Sequence, residues 1–175
     1  MNIDLVLFNF LNQLAFMNDF LVFFFRVSAK YLGYGLIAFV VFKALTKREY
    51  IFSLIAGFLS YYGIVEIIRM FSFKSRPFDD IVCSVLIEHK ATSSFPSGHS
   101  AFFFALSYVV WHQNKKAGWV LFSLSSVISL SRVVSGVHWP SDILVGALIG
   151  VLIGWLMTQT SIYRKFVPRE RLELS

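Results

Sequence analysis

The sequence predicts an all-α integral membrane helical bundle: five membrane-spanning helices preceded by an N-terminal interfacial helix, six helices in total, in a single domain over residues 1–175. Three observations predict it. The 175-residue chain is 57% hydrophobic and 15% charged, with a mean hydropathy of +0.67, more apolar than a water-soluble domain can hide. Its apolar residues fall into runs long enough to cross a bilayer, separated by short charged clusters. The clusters are mostly basic, and 16 Lys+Arg against 10 Asp+Glu distributed in this way reads as membrane orientation, with no nucleic acid as partner.

Residues Asn2 to Met17 are apolar but carry Asp4, Asn9, Asn12 and Gln13, and they are short against the roughly 20 residues a span needs. They predict an amphipathic helix lying in the interface, with a short sixth span as the alternative. No basic stretch precedes this run and no small-residue cleavage site follows it, so it reads as retained. Asp19 is placed to cap the first span, about Phe20 to Phe42, in which Arg26 and Lys30 share one face at i,i+4 spacing. Lys43, Lys47, Arg48 and Glu49 close it. The second span, about Tyr50 to Phe71, runs back antiparallel and brings Glu66 and Arg69 to a similar depth. Intramembrane charge is costly, so these groups are expected to face one another or a polar cavity. For Arg26, Lys30 and Glu66 two readings stand, a structural ion-pair network or contact with a substrate headgroup.

The longest non-helical stretch, about Ser72 to Pro96, sets Lys74, Arg76 and Lys90 against Asp79, Asp80 and Glu88 and reads as a lid or entrance loop. The third span, about His99 to His112, reaches only about 21 Å at about 1.5 Å per residue against about 30 Å of hydrocarbon, so its Ser97 end is expected below the membrane surface. After a loop with Lys115 and Lys116, the fourth span covers about Trp119 to Val134 and the fifth about Pro140 to Thr160. Gly146, Gly150 and Gly154 form a ridge on the fifth that permits close helix packing. The tail adds Arg164, Lys165, Arg169 and Arg171 against Glu170 and Glu173. The loop at Lys43 to Glu49, the loop at Lys115 and Lys116, and the tail are all net basic on one side of the alternating topology, which is therefore expected to be cytoplasmic.

Three segments meet on the opposite side. RMFSFKSRP carries Arg69 and Arg76 with six residues between them, FPSGHS runs from Phe95 to Ser100, and SRVVSGVHWPSD runs from Ser131 to Asp142 with Arg132 and His138. Arg69, Arg76 and Arg132 offer fork-shaped donors that match phosphate oxygens and stay charged at any working pH. Ser97 and Gly98 open a helix whose free N–H groups and positive end favour an anion. His99 and His138 supply a nucleophile and a general acid, and Asp142 can hold the second ring nitrogen of His138. Cys83 is the only cysteine and no HExxH occurs, so no disulfide, no metal and no other cofactor is expected. FPSGHS is not a G-x-S-x-G elbow, which argues against Ser97 as a nucleophile. His89 and His112 match no motif and read as solvent or interface residues.

These segments resemble the signature of the type 2 phosphatidic acid phosphatase (PAP2) superfamily: Lys-x6-Arg-Pro, Pro-Ser-Gly-His, and Ser-Arg-x5-His-x3-Asp. The second and third motifs match in full; the first matches Arg76 and Pro77 but has Arg69 where the family usually has lysine, with Lys74 as a nearby substitute. The resemblance implies a PAP2-like fold and a metal-independent phosphatase. In it His138 attacks phosphorus to give a phosphohistidine, Asp142 supports it, His99 protonates the leaving oxygen, and Arg69, Arg76, Ser97, Gly98 and Arg132 bind phosphate. It further implies a multi-pass protein of the bacterial inner membrane, surrounded by membrane lipids, with its site facing the periplasm or cell exterior. The expected substrate is a lipid phosphate or pyrophosphate: undecaprenyl pyrophosphate, lipid A 1-phosphate or phosphatidylglycerol phosphate. Phosphotransfer to another lipid, and non-catalytic binding of anionic lipid, are the alternatives. Vanadium haloperoxidases share the motifs, but they are soluble and this composition is not.

Overall fold

The protein is described by a computed structural model covering residues 2–167. The described residues form eight helices and no strand: α1 Ile3–Asn12, α2 Asp19–Thr46, α3 Arg48–Phe71, α4 Pro77–Asp80, α5 Gly98–Gln113, α6 Lys115–Val134, α7 Pro140–Gln159 and α8 Ser161–Phe166. Helices α2, α3, α6 and α7 are long and apolar enough to cross a membrane. The expected third span is α5, and it is the axis of the bundle. Ten of its 16 residues are buried, wrapped by α3, α6 and α7, which is why its sequence is apolar on every face.

Close packing around α5 depends on small residues. A Cβ added at Gly146, Gly150 or Gly154 would stand 2.5 Å from the Ser97 carbonyl oxygen, 2.4 Å from that of Ala101 and 2.8 Å from the Tyr108 Cβ, so the α7 ridge lies directly on the α5 backbone. On the other flank, Ser100 donates to Ser129 and Ser107 pairs with Ser125, each at 2.9 Å, so buried hydroxyls satisfy one another between α5 and α6.

Several boundaries differ from the sequence reading. The cap of α2 is Asn18, whose side chain accepts from the Leu21 N–H at 2.9 Å; Asp19 is already the first helical residue. Helix α6 begins at Lys115 because Asn114 caps it through the Ala117 N–H at 2.8 Å, and the Lys115 ammonium rests 3.3 Å from the Trp111 ring centre. Neither α4 nor α8 was expected. Helices α2 and α3 each contain a π-helical turn, Ser28–Leu32 and Leu59–Val65, which apolar periodicity does not reveal. Arg164 and Lys165 lie on α8, while Arg169, Glu170, Arg171 and Glu173 fall outside the described residues.

The α1 helix, extended by a tight turn to Phe16, is too short to span. Its polarity is turned inward. Asp4, Phe8 and Asn12, one face at i,i+4,i+8 spacing, dock on the connection between α6 and α7, while Ile3, Leu7 and Phe10 point outward. Asn12 is nearly fully buried; its amide donates to the Ser84 and Val134 carbonyls at 3.0 and 2.9 Å and accepts from the Ser84 N–H at 3.0 Å.

The α5–α7 contact leaves no room for growth. Gly150→Ala is expected to cost about 1–3 kcal/mol of stability by overpacking, read as a lower thermal unfolding midpoint in detergent; an unchanged midpoint would show that the two helices are not packed this closely.

Candidate active site

The connection between α6 and α7 places three of the predicted residues by local geometry. Arg132 ends α6, and Gly136, at φ +77°, turns the chain. Pro140 opens α7, leaving His138 just before that helix and Asp142 in its first turn. The Asp142 carboxylate is fully buried. One oxygen accepts from the Trp139 N–H at 2.9 Å and lies 3.5 Å from His138 Nδ1; the other accepts from the Lys74 ammonium at 3.0 Å. At 3.5 Å the His138 contact is longer than a formed hydrogen bond, and contacts of this kind tighten when substrate engages the ring.

The other two motif segments close on this connection. The Ser97 N–H donates to the Asp142 carbonyl at 3.0 Å, joining the starts of α5 and α7. Arg76 donates to the Val137 carbonyl at 2.7 Å, and the Trp139 indole donates to the Ser75 carbonyl at 3.0 Å. Arg69 donates to the Pro96 carbonyl and to Glu66, both at 2.9 Å. The result is a cavity of about 450 Å³ lined by Arg69, Arg76, His89, Gly98, His99 and His138.

The electrostatics of this cavity favour an anion. Arg76 is almost completely buried, and burial followed by its neighbour Arg69 lowers it to about 10, still charged at neutral pH. Burial pushes His138 down to about 3 although Asp142 pulls the other way, and Arg132 and Arg76 add to the depression. Its ring is therefore neutral, with a free nitrogen lone pair. Among the described residues, eight buried side-chain polar atoms have no hydrogen-bond partner, and four belong to predicted site residues: Arg69 Nε, Ser97 Oγ, Arg132 Nε and His138 Nδ1. Such a concentration is unusual for a folded interior, where buried polar groups are nearly always paired. Among the described residues no group of three or more His, Cys, Asp or Glu is arranged to hold a metal.

Some predicted residues stand elsewhere than expected. Lys74 lies behind Asp142, bonded to Asp142, to Asp4 at 3.0 Å and to the Ser141 hydroxyl at 2.8 Å, because two carboxylates hold it there. Most of the Arg76 fork is spent on the Thr92, Ser93 and Val137 carbonyls and the Thr92 hydroxyl, leaving one N–H uncommitted. Ser97 occupies the cap position of α5 but its hydroxyl makes no capping bond. Gly98 admits the Tyr61 ring, which would stand 2.1 Å from an added Cβ. Glu66 pairs with Arg69, and neither Arg26 nor Lys30 forms a salt bridge among the described residues, so the three do not make an ion-pair network. Lys30 instead lines a second cavity of about 250 Å³ with Tyr34, Phe58, Tyr61, His99 and Phe102. Tyr61, Gly98 and His99 border both cavities.

Four residues escaped the sequence reading. Tyr61 divides the cavities, and His89 lines the polar one with its ring centre 6.4 Å from that of His138, so it is not a bystander. Asp4 accepts from the Ser141 N–H at 2.9 Å and hydroxyl at 2.6 Å, and Asn12 holds the Val134 carbonyl. For the last two, polar residues two turns apart on an otherwise apolar helix were the available signal.

The chain is similar to known proteins along most of its length. The sequence model of the PAP2 superfamily matches residues 49–166, which include all three segments and leave out α1 and α2. The chain is similar to the undecaprenyl-diphosphatase BcrC of Bacillus subtilis, 33% identical over 135 residues, covering 75% of this chain and 69% of that protein. It is also similar to the lipid A 1-phosphatase of Porphyromonas gingivalis, 37% identical over 71 residues, covering 38% of this chain and 16% of that protein. The crystal structure of Aquifex aeolicus LpxE superposes with a TM-score of 0.81 at 29% identity, covering 91% of this chain and 97% of that one. With the family match running through every segment that lines the polar cavity, the chain belongs to the PAP2 superfamily and is a membrane lipid phosphatase.

Proposed function

We propose that the protein hydrolyses the terminal phosphate of a lipid phosphate or pyrophosphate, with undecaprenyl pyrophosphate and lipid A 1-phosphate as the favoured substrates, at the extracytoplasmic face of the bacterial inner membrane. The observation that carries this reading is the polar cavity in which a neutral His138 faces Arg69, Arg76 and His99, with buried unpartnered polar atoms on Arg69, Ser97 and Arg132 of the same motifs. Fixed donors in a poorly hydrated site stabilise the charge of phosphoryl transfer without reorganising.

In the first half-reaction the free nitrogen of His138 attacks phosphorus. The N–P bond forms as the bond to the leaving oxygen breaks, and His99 gives that oxygen its proton. Positive charge gathers on the His138 ring, which Asp142 stabilises through Nδ1–H. In the second half-reaction His99 takes a proton from water, the water oxygen attacks phosphorus, and the N–P bond breaks to release phosphate.

The two cavities divide the substrate. His138 borders only the polar one, so the transferred phosphate sits there, and the lipid leaves past His99 into the cavity lined by Phe58 and Phe102. A pyrophosphate leaves as a lipid monophosphate, whose charge would fall on that side, where Lys30 is the lining cation. The relative named undecaprenyl-diphosphatase supports the pyrophosphate, and the one named lipid A 1-phosphatase the saccharide lipid. The basic loops around Lys47 and Lys115 support an outward-facing site.

The reading is tested by phosphate release from undecaprenyl pyrophosphate, lipid A and glycerophospholipid phosphates in sealed, right-side-out vesicles. Release outside by the wild type and none by His138→Ala is expected; equal release by both, or none from any lipid, refutes it. Lys30→Gln is expected to lower kcat/KM for an isoprenyl pyrophosphate about 10-fold more than for the matching monophosphate, the effect of one lost charged hydrogen bond. An equal change on both substrates would remove Lys30 from the leaving-group side.

A further inference from the structure

The N-terminal helix lies outside the region matched by the family model, yet it touches the most sensitive part of the site. Asp4 reaches across to two elements at once. One oxygen accepts from the Ser141 N–H at 2.9 Å, and the other accepts from the Ser141 hydroxyl at 2.6 Å and the Lys74 ammonium at 3.0 Å. Lys74 in turn holds Asp142 at 3.0 Å, and Asp142 stands 3.5 Å from the His138 ring. The chain of contacts is therefore Asp4, Lys74, Asp142, His138, with Ser141 tying the first member directly to the helix that bears the third.

We infer that Asp4 is a positioning residue for the catalytic histidine: by sharing Lys74 and holding the first turn of α7, it keeps the Asp142 carboxylate aimed at His138. This rests on the phosphohistidine reading given above. Lys74 carries one positive charge between two carboxylates. Without Asp4 the ammonium would keep Asp142 as its one carboxylate partner beside the Ser141 hydroxyl, and would draw it away from an imidazole contact that is already long. The Ser141 N–H would at the same time exchange a charged acceptor for a neutral amide oxygen in Asp4→Asn, holding less firmly the turn that sets the Asp142 side chain. Because α1 is independently fastened by Phe8 against Trp139, with ring centres 5.2 Å apart, and by the three hydrogen bonds of Asn12, removing one carboxylate leaves the helix docked. The effect should then fall on the chemical step and spare the phosphate-binding side of the cavity.

The test uses the full-length protein in detergent–lipid micelles with one lipid phosphate, comparing Asp4→Asn, Asp4→Glu, Lys74→Met and the Asp4→Asn/Lys74→Met double variant. Asp4→Asn is expected to lower kcat about 10- to 100-fold, as misplacement of a reacting group does, with KM and the thermal unfolding midpoint little changed. Asp4→Glu should restore part of the loss. In the Lys74→Met background, Asp4→Asn should cost under about 3-fold, because coupled residues are not additive. Full additivity, an unchanged kcat, or a loss carried by KM or by unfolding overturns the inference. A wild type inactive on every lipid phosphate would instead overturn the proposed function, so the two failures are distinguishable.

Discussion

A carboxylate with no exposed surface must find its compensation inside the protein, and Asp142 draws it both from its own turn and from a distant loop. The Trp139 N–H comes from its own turn, Lys74 from the loop after α3, and His138 from the connection before α7. Even its backbone carbonyl is used, by the first N–H of the segment that opens α5. Replacing only one partner of such a buried group leaves charge uncompensated. The short α5, the glycine ridge that lets α7 lie against it, and the inward-turned polar face of α1 all serve to bring those partners within reach.

The depth of the site follows from the same arrangement. His99 and Lys30 border one cavity, and Lys30 is about eleven residues, or about 16 Å of helix, inside the start of α2. On the proposed function, a phosphate held near that depth would sit beside low-dielectric surroundings, where the charges of Arg69 and Arg76 count for more than in water. Two π-helical turns, one in α2 and one in α3, both contribute to the apolar cavity beside it, and Tyr61 from the second packs on Gly98 between the two spaces. Such turns re-aim side chains within an otherwise continuous helix.

The sequence was most legible where composition or a rigid motif decided the outcome. Five apolar runs, the third of them short, become four helices long and apolar enough to span and a buried α5 at their centre, and Gly146, Gly150 and Gly154 pack as their spacing implied. Of the motif residues, Arg69, Arg76, Gly98, His99 and His138 line one cavity, while Ser97 and Asp142 are joined to each other by a hydrogen bond and Arg132 donates to the Ala29 carbonyl. What stayed hidden depends on partners far away in the chain. Lys74 could be read as a spare phosphate ligand because nothing local revealed that Asp4, 70 positions earlier, would hold it against Asp142. His89 carries no motif, and only the path of residues 72–96 brings it beside His138. Gly98 is expected to open a helix whose free N–H groups favour an anion; what its missing side chain makes room for is the Tyr61 ring, on another helix.

The proposed mechanism gives His138 one task, to carry the phosphoryl group between lipid and water. The direct measurement is rapid quenching of the wild-type enzyme during turnover of a terminally radiolabelled lipid pyrophosphate, followed by peptide mapping of the acid-labile label. Label on His138 during turnover, lost with His138→Gln, is the predicted result. Turnover that labels no residue, or labels one other than His138, would contradict it.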